Sequence, residues 1–354
     1  MATTDYGVNH PLAVKIWQKR LLREALKETH CGRFMGSTSN SLIQVKSDLR
    51  KQAGDRIRMG LRMQLSGDGV AGDNTLEGNE EGLTTYSDDL FVNQLRHAVR
   101  SGGRMSEQRV PFSVREEGLA GLRDWWADRL DESFFNHIAG NTGQTDTRRT
   151  GMQTVIATTS GLQIFGGADM TTEASLSASV GGSTFRLTMI DAAIAIAKAR
   201  SPVIRPVRVD GRALYVVFLH PYQVHAMRTD ATAARVTWYD TQKSRISGGE
   251  MDNPIFSGAL GEYNGCVIHE NTRVPLAPSM TAVRRGIFCG AQAAVFATGR
   301  DNKPNTMTWT EELFDYENEL GVSAGMIWGL KKTIFNSADF ATIVLSSYAA
   351  APTN

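Results

Sequence analysis

Apolar residues along this chain change their spacing, and each change marks an element. Between Arg56 and Leu65 they occupy positions 57, 59, 61, 63 and 65, with Arg56, Arg58, Gly60, Arg62 and Gln64 in between. Alternation at period two predicts a strand with one apolar and one polar face. From Leu83 to Arg100 the pattern is again partly alternating, through Tyr86, Leu90, Val92, Leu95 and Val99. The two stretches predict the arms of one long, charged hairpin with a broad acidic tip. Beyond Pro111 the spacing shifts to three and four, so that Leu119, Leu122, Trp126, Leu130, Phe134 and Ile138 share one face of a helix. Ser113 stands three residues before Glu116, the capping-box spacing that satisfies free amides at a helix start, and Gly140 supplies a stop. At ~1.5 Å per residue, a helix from Ser113 to Ala139 is about 40 Å long, a structural spine.

Residues 1–10 are polar and read as an arm. Pro11 to about His30 predicts an amphipathic helix, with Ala13, Ile16, Trp17, Leu21, Leu22, Ala25 and Leu26 on one side and Gly32 as its stop. Residues 140–185 are rich in Thr, Gly and Ser and read mostly as loop. Leu187–Ala199 is an alanine-rich apolar helix ahead of Pro202. Ala213–Leu219 reads as a buried strand ended by His220 and Pro221; Gly261–His269 and Arg284–Ala297 supply further short strands, and Ile343–Leu345 the last. Strands and helices do not alternate regularly, so the class is α+β. No internal repeat is present.

Composition bounds what such a chain can be. Its 354 residues accommodate two average domains or one large one, and 41% hydrophobic with 21% charged residues excludes global disorder. A net charge of +1 argues against a dedicated nucleic-acid binder. The charge is unevenly spread, however. Lys and Arg dominate from Lys15 to Arg62, whereas Ser66 to Leu90 carries Asp68, Asp73, Glu77, Glu80, Glu81, Asp88 and Asp89 with no Lys or Arg. Opposed blocks of this kind suggest contact with another chain or a polyanion, against the plainer reading of a solvated face. Cys31, Cys266 and Cys289 lack C-x-x-C spacing and read as buried thiols of a reducing compartment. No signal-peptide core opens the chain and no apolar run reaches ~18 residues, so a soluble intracellular product is expected, with no membrane partner.

The same stretches hold the motifs closest to known chemistry. Gly67, Gly69 and Gly72 form a literal G-x-G-x-x-G, but a dinucleotide turn needs a helix opening at the third glycine. Here Asp73–Gly82 carries two more glycines, no helical period, and carboxylates that would repel a phosphate. The acidic loop lacks the D-x-[DN]-x-[DN]-G spacing of a calcium loop. His220 and His225 are five apart and read as strand-end and packing residues, and His269–Glu270 is isolated. Trp125 and Trp126 fit a core residue and its neighbour better than a carbohydrate platform. No nucleophile elbow, S-x-x-K or phosphate-binding loop occurs. No catalytic, cofactor or metal residue is therefore expected.

The stretch Leu76–Asp88, LEGNEEGLTTYSD, resembles a segment of the major capsid proteins of N4-like tailed phages. So do Gln94–Arg100, Met105–Arg109, Trp125–Asp131, His220–Gln223 and Asn253–Gly261, in the same order, from about residue 10 to the C-terminus. The resemblance implies the Hong Kong 97-type coat fold. Residues 1–42 would be an arm and helix, 43–110 an extended hairpin loop, 111–150 the spine helix of a peripheral domain, 151–325 an axial domain with a variable insertion near 140–185, and 326–354 a return to the peripheral domain. It implies self-assembly, without catalysis, into hexamers and pentamers of an icosahedral head around double-stranded DNA held by non-specific contact. Portal, scaffolding or decoration proteins would be partners, the virion the location, and the host cytoplasm the place of assembly. In that setting the acidic tip, Glu77, Glu80 and Glu81, is expected to meet Arg56, Arg58, Arg62 or Arg96 of an adjacent subunit. Gly67, Gly69, Gly72 and Gly78 would let the loop bend, in its distal part and far from any pocket. An encapsulin-like compartment protein of the same fold is the alternative, and a soluble nucleotide- or metal-dependent enzyme the remaining one.

Overall fold

The computed structural model describes residues 29–50, 54–109, 113–167, 170–178, 182–209, 211–229, 259–299 and 307–351. The amphipathic helix expected from Pro11 lies outside them. Two sheets and one long helix organise the rest. The helix spans Val114–Ile138, and Ser113 caps it by accepting the Glu116 N–H at 3.4 Å. Leu122, Trp126, Leu130, Phe134 and Ile138 are all fully buried, so the predicted stripe is the packed face. Gly140 ends the helix at φ +61°, where an added Cβ would come within 2.8 Å of the Thr158 nitrogen.

The helix lies on a six-stranded sheet ordered Met35–Gly36, Ile43–Lys46, Ala294–Thr298, Glu319–Lys332 and Met307–Phe314, with Asn93–Arg100 also paired to Glu319–Lys332. Trp126 meets Trp328 of that sheet edge-on at 6.2 Å. Trp125, half-buried, stacks on His97 at 4.6 Å. The helix's C-terminal end reaches a seven-stranded sheet ordered Gln163–Phe165, Thr342–Tyr348, Val283–Cys289, Arg212–Leu219, Cys266–Glu270 and Ala259–Tyr263, with Val207–Val209 paired to Arg212–Leu219. There Phe134 and Phe135 both meet Phe218, at 5.8 and 5.5 Å. One helix thus ties two sheets into one core.

One sequence expectation is corrected. Leu83–Arg100 is not one arm: Thr85–Phe91 pairs with Arg56–Arg62, whereas Asn93–Arg100 belongs to the six-stranded sheet. The chain crosses over at Val92, where the apolar parity slips from even positions (86, 90, 92) to odd ones (95, 99). From residue 326 onward the chain divides: up to Lys332 it lies in the sheet beneath the long helix, whereas the C-terminal strand Thr342–Tyr348 does not. It sits inside the seven-stranded sheet, between Gln163–Phe165 and Val283–Cys289. Its residues from Thr342 to Ser347 are all buried, as a strand covered on both faces requires.

Residues 140–185, unplaced by sequence, are fastened to both sheets. The Leu330 N–H donates to the Gly151 carbonyl at 2.9 Å. Glu173 accepts from Gln163 at 2.8 Å and forms an ion pair with Arg285 at 2.6 Å. The same guanidinium donates to the Ala139 and Gly140 carbonyls at 3.0 and 2.6 Å, a cation placed where the helix dipole is negative.

Candidate assembly interface

A two-stranded ribbon, Arg56–Arg62 against Thr85–Phe91, leaves the body and ends in an irregular loop over residues 63–84. The register sets Ile57 opposite Leu90, Met59 opposite Asp88 and Leu61 opposite Tyr86. At the root, Ile57, Leu90 and Val92 are buried with Leu49, Val295 and Ala297. Farther out, Met59 and Leu61 are half-buried. Leu65, Leu76 and Leu83, on the loop, are 62%, 61% and 62% exposed. Apolar burial therefore fades from root to tip.

Charges on the ribbon are divided in a way the sequence does not reveal. Arg58 holds Asp89 with two bonds, at 2.8 and 3.1 Å, and Arg56 adds a third at 3.2 Å while its guanidinium lies 4.3 Å over the Phe91 ring. The Arg58 bonds hold the Asp89 carboxyl below the usual carboxylate range, and neighbouring Arg56 and Lys331 act in the same direction. Asp88, on the opposite face, is buried. It accepts from Lys331 Nζ and from the Ile334 N–H at 3.2 Å, tying the ribbon root to the six-stranded sheet. Of the four arginines expected at an interface, Arg56 and Arg58 are thus engaged inside their own ribbon. Arg62 and Arg96 are exposed, and no ion pair holds them among the described residues. Arg96 stands on Asn93–Arg100, in the sheet and off the ribbon.

The acidic residues of the tip differ from one another as well. Glu81 accepts the Ser66 and Gly67 N–H groups, each at 2.8 Å, and the Ser66 hydroxyl at 3.2 Å. These bonds draw the two limbs of the loop together and hold the Glu81 carboxyl below its ordinary range, the backbone bond from Ser66 contributing most. Glu80 turns back to the Gly78 N–H at 2.8 Å. Glu77 is exposed and has no partner within the chain among the described residues.

No helix follows Gly72. Gly69, Gly72 and Gly78 have φ of +73°, +66° and +88° with open space around them, so the glycines serve the path of a loop. Gly67 is the loop's neck, bonded to Glu81. A cavity of about 780 Å³ reaches the loop's base, where Leu65 and Ser66 line it; none of the four glycines does.

The remaining candidates are structural. All three cysteines are buried and unpaired. Burial pushes the Cys266 and Cys289 thiols well up, away from the reactive thiolate. His220 ends its strand, its Nδ1 accepting the Tyr222 N–H at 3.2 Å, whereas His225 is exposed and not a packing residue. Asp131, on the long helix, is buried. It accepts the His30 and Cys31 N–H groups, each at 2.9 Å, and pairs with Arg273 at 3.3 Å. Among the described residues no group of three or more His, Cys, Asp or Glu could hold a metal ion, and no helix is long and apolar enough to cross a membrane.

A body of two sheets bridged by one long helix, with a projecting charged ribbon, superposes on solved phage capsids. The family described as phage capsid protein matches residues 5–351. The major capsid protein of Pseudomonas phage KPP25 is 30% identical, with 93% of each chain covered. The capsid of Ralstonia phage GP4 superposes with a TM-score of 0.80 at 32% identity, covering the whole of both chains. The capsid of cyanophage Pam1 gives 0.72 at 19% identity over 92% of this chain and 94% of its own, a likeness of fold. The chain belongs to the phage capsid protein family. The α+β coat fold of the Hong Kong 97 type and the role of major capsid protein of a tailed phage, both expected from the sequence, hold for it.

Proposed function

We propose that copies of this chain assemble, without catalysis, into an icosahedral head that encloses double-stranded DNA, each ribbon lying across the adjacent subunit. The observation that carries the ribbon's role is its gradient: a root built into the body, and a tip of exposed leucines and carboxylates. A two-stranded ribbon is marginal in water, so its outer part gains stability from a surface the single chain lacks. Arg62 and Arg96 are the cations left for a neighbour's Glu77 and Glu80, since Arg56 and Arg58 already hold Asp89. Each exposed pair contributes only ~0–1 kcal/mol, a small term multiplied over the shell. DNA is held by non-specific contact, portal, scaffolding or decoration proteins complete the head, and assembly takes place in the host cytoplasm.

The test is charge reversal. Glu77→Lys with Glu80→Lys, Glu81 being kept because it closes the loop, should leave the unassembled protein soluble and sharply lower particle yield in electron micrographs. Adding Glu81→Lys should deepen the defect. Normal particles from the double variant would sink this role for the tip.

A further inference from the structure

The cavity of about 780 Å³ runs along one edge of the ribbon. Every residue from Ile57 to Ser66 lines it, and none of Thr85–Phe91 does, so it follows the edge of Arg56–Arg62 that faces away from the partner strand. Two bonds fix which backbone groups point there. The Val92 N–H donates to the Asp55 carbonyl at 2.8 Å, and the Met63 N–H to the Thr84 carbonyl at 2.9 Å. In an antiparallel pair such bonded positions recur at every second residue. Residues 55, 57, 59, 61 and 63 therefore bond across the ribbon, and the N–H and C=O groups of Arg58, Gly60 and Arg62 point into the groove. None of those groups has a hydrogen-bond partner among the described residues. At the middle of the edge, Gly60 offers no side chain to cover it. An open strand edge is a template for another strand.

The groove's charge selects what can lie there. Lys46, Arg58, Arg62, Arg200 and Arg205 line it against one carboxylate, Asp48, with apolar surface from Val203 and Phe340. Pairing of this edge with the same edge of a second copy would set Arg58 and Arg62 against their own kind. The loop over residues 66–84 has the opposite character: five carboxylates, no Lys or Arg, no helix or strand, and exposed leucines.

We propose that an extended limb of the acidic loop of a second copy adds as a third strand along Arg58–Arg62, in this groove. The proposal rests on the reading that each ribbon lies across a neighbour, and goes further by naming the surface and the backbone bonds that receive it. The loop of one copy on the strand edge of the next is a head-to-tail contact, which closes into rings when its rotation permits.

Residue-resolved amide exchange on unassembled protein and on purified particles tests it. The Met59 and Leu61 amides should be protected in both. The Arg58, Gly60 and Arg62 amides should exchange freely before assembly and slow by about tenfold or more in particles, as a new hydrogen bond requires. Equal exchange of these three in both states overturns the proposal while leaving assembly itself intact; absence of particles from the wild-type chain would overturn both. Gly60→Pro removes the outward donor without touching the bonds to Thr85–Phe91. It should keep Met59 and Leu61 protected and lower particle yield roughly tenfold, the effect of leaving one buried acceptor unpaired. Undiminished yield would count against the edge. The pair Arg62→Cys and Glu77→Cys should form an inter-subunit disulfide in particles; no crosslink rules out the acidic loop as the occupant.

Discussion

The long helix and the ribbon each carry an apolar stripe, and the two stripes meet different fates. Leu122, Trp126, Leu130, Phe134 and Ile138 find partners in their own chain along the whole helix and are fully buried. On the ribbon, Ile57 and Leu90 are buried at the root, Met59 and Leu61 only partly, and the leucines of the loop hardly at all. Apolar area removed from water stabilises by ~25 cal/mol per Å² wherever the covering surface comes from. The helix therefore stabilises the protomer, whereas the outer ribbon holds most of its apolar surface in reserve for contact between protomers. Periodicity specifies that a stripe will be covered; the fold decides by which molecule.

Trp126→Ala gives the largest effect that comparison predicts. The indole is fully buried, edge-on to Trp328 at 6.2 Å and perpendicular to Trp125 at 5.2 Å. Its removal should cost about 3–5 kcal/mol in denaturant unfolding of the unassembled protein. Leu76→Ala, at the loop, should leave that unfolding curve unmoved. Equal losses at the two sites would break the distinction.

Acid should divide the same two regions. Burial pushes His137 down to about 4, opposed by its contact with the Thr150 carbonyl and reinforced by Lys332 and Lys331. Burial likewise pushes His30 and His220 down to about 4. A histidine kept neutral by the fold binds protons more readily when unfolded. Its stabilisation is complete above the unfolded value near 6.5 and is lost as pH falls from there to about 4. For His137, 1% exposed, the loss should approach about 3 kcal/mol. Asp89 and Glu81 on the ribbon are shifted downward, so their contribution holds above the ordinary carboxylate range and falls only below it. Between pH 6.5 and 4.5 the body should therefore lose stability while ribbon amides stay as protected as before, and His137→Gln should flatten the slope. A pH-independent unfolding midpoint over that window would contradict this division.

Local periods made the helix, its Ser113 cap and its Gly140 stop legible, because each depends on residues within one or two turns. The ribbon's first strand was legible for the same reason, and its true end was written in the parity slip after Val92. What escaped sequence reasoning depends on partners far along the chain. Asp88 is tied to Lys331, 243 positions away, and Asp131 to Arg273, 142 positions away. Lys332 and Asp339 are close in sequence yet form a buried pair at 2.8 Å that only the packed core explains. The destination of Thr342–Tyr348 turned on which sheet could cover both its faces. At the interface, composition marked the acidic tip and the basic strand. It could not show that Asp89 already engages Arg56 and Arg58, because register decides which charges face each other across a ribbon.

The smallest predicted effect concerns Glu81, which separates loop shape from loop charge. Its carboxylate is exposed, so removing it should not measurably change the thermal midpoint of the unassembled protein. The Ser66 and Gly67 N–H groups it holds at 2.8 Å would lose their acceptor. In Glu81→Ala, amide exchange at those two residues should rise, while Met63, bonded to Thr84 at 2.9 Å, stays protected at the end of the ladder. Glu81→Gln keeps an acceptor oxygen with one charge fewer and should recover part of the protection. If the two variants exchange alike and both match the parent, the limbs are held together by the ribbon alone. The loop's neck would then be set by strand pairing, and Glu81 would join Glu77 as a charge presented outward for a neighbour.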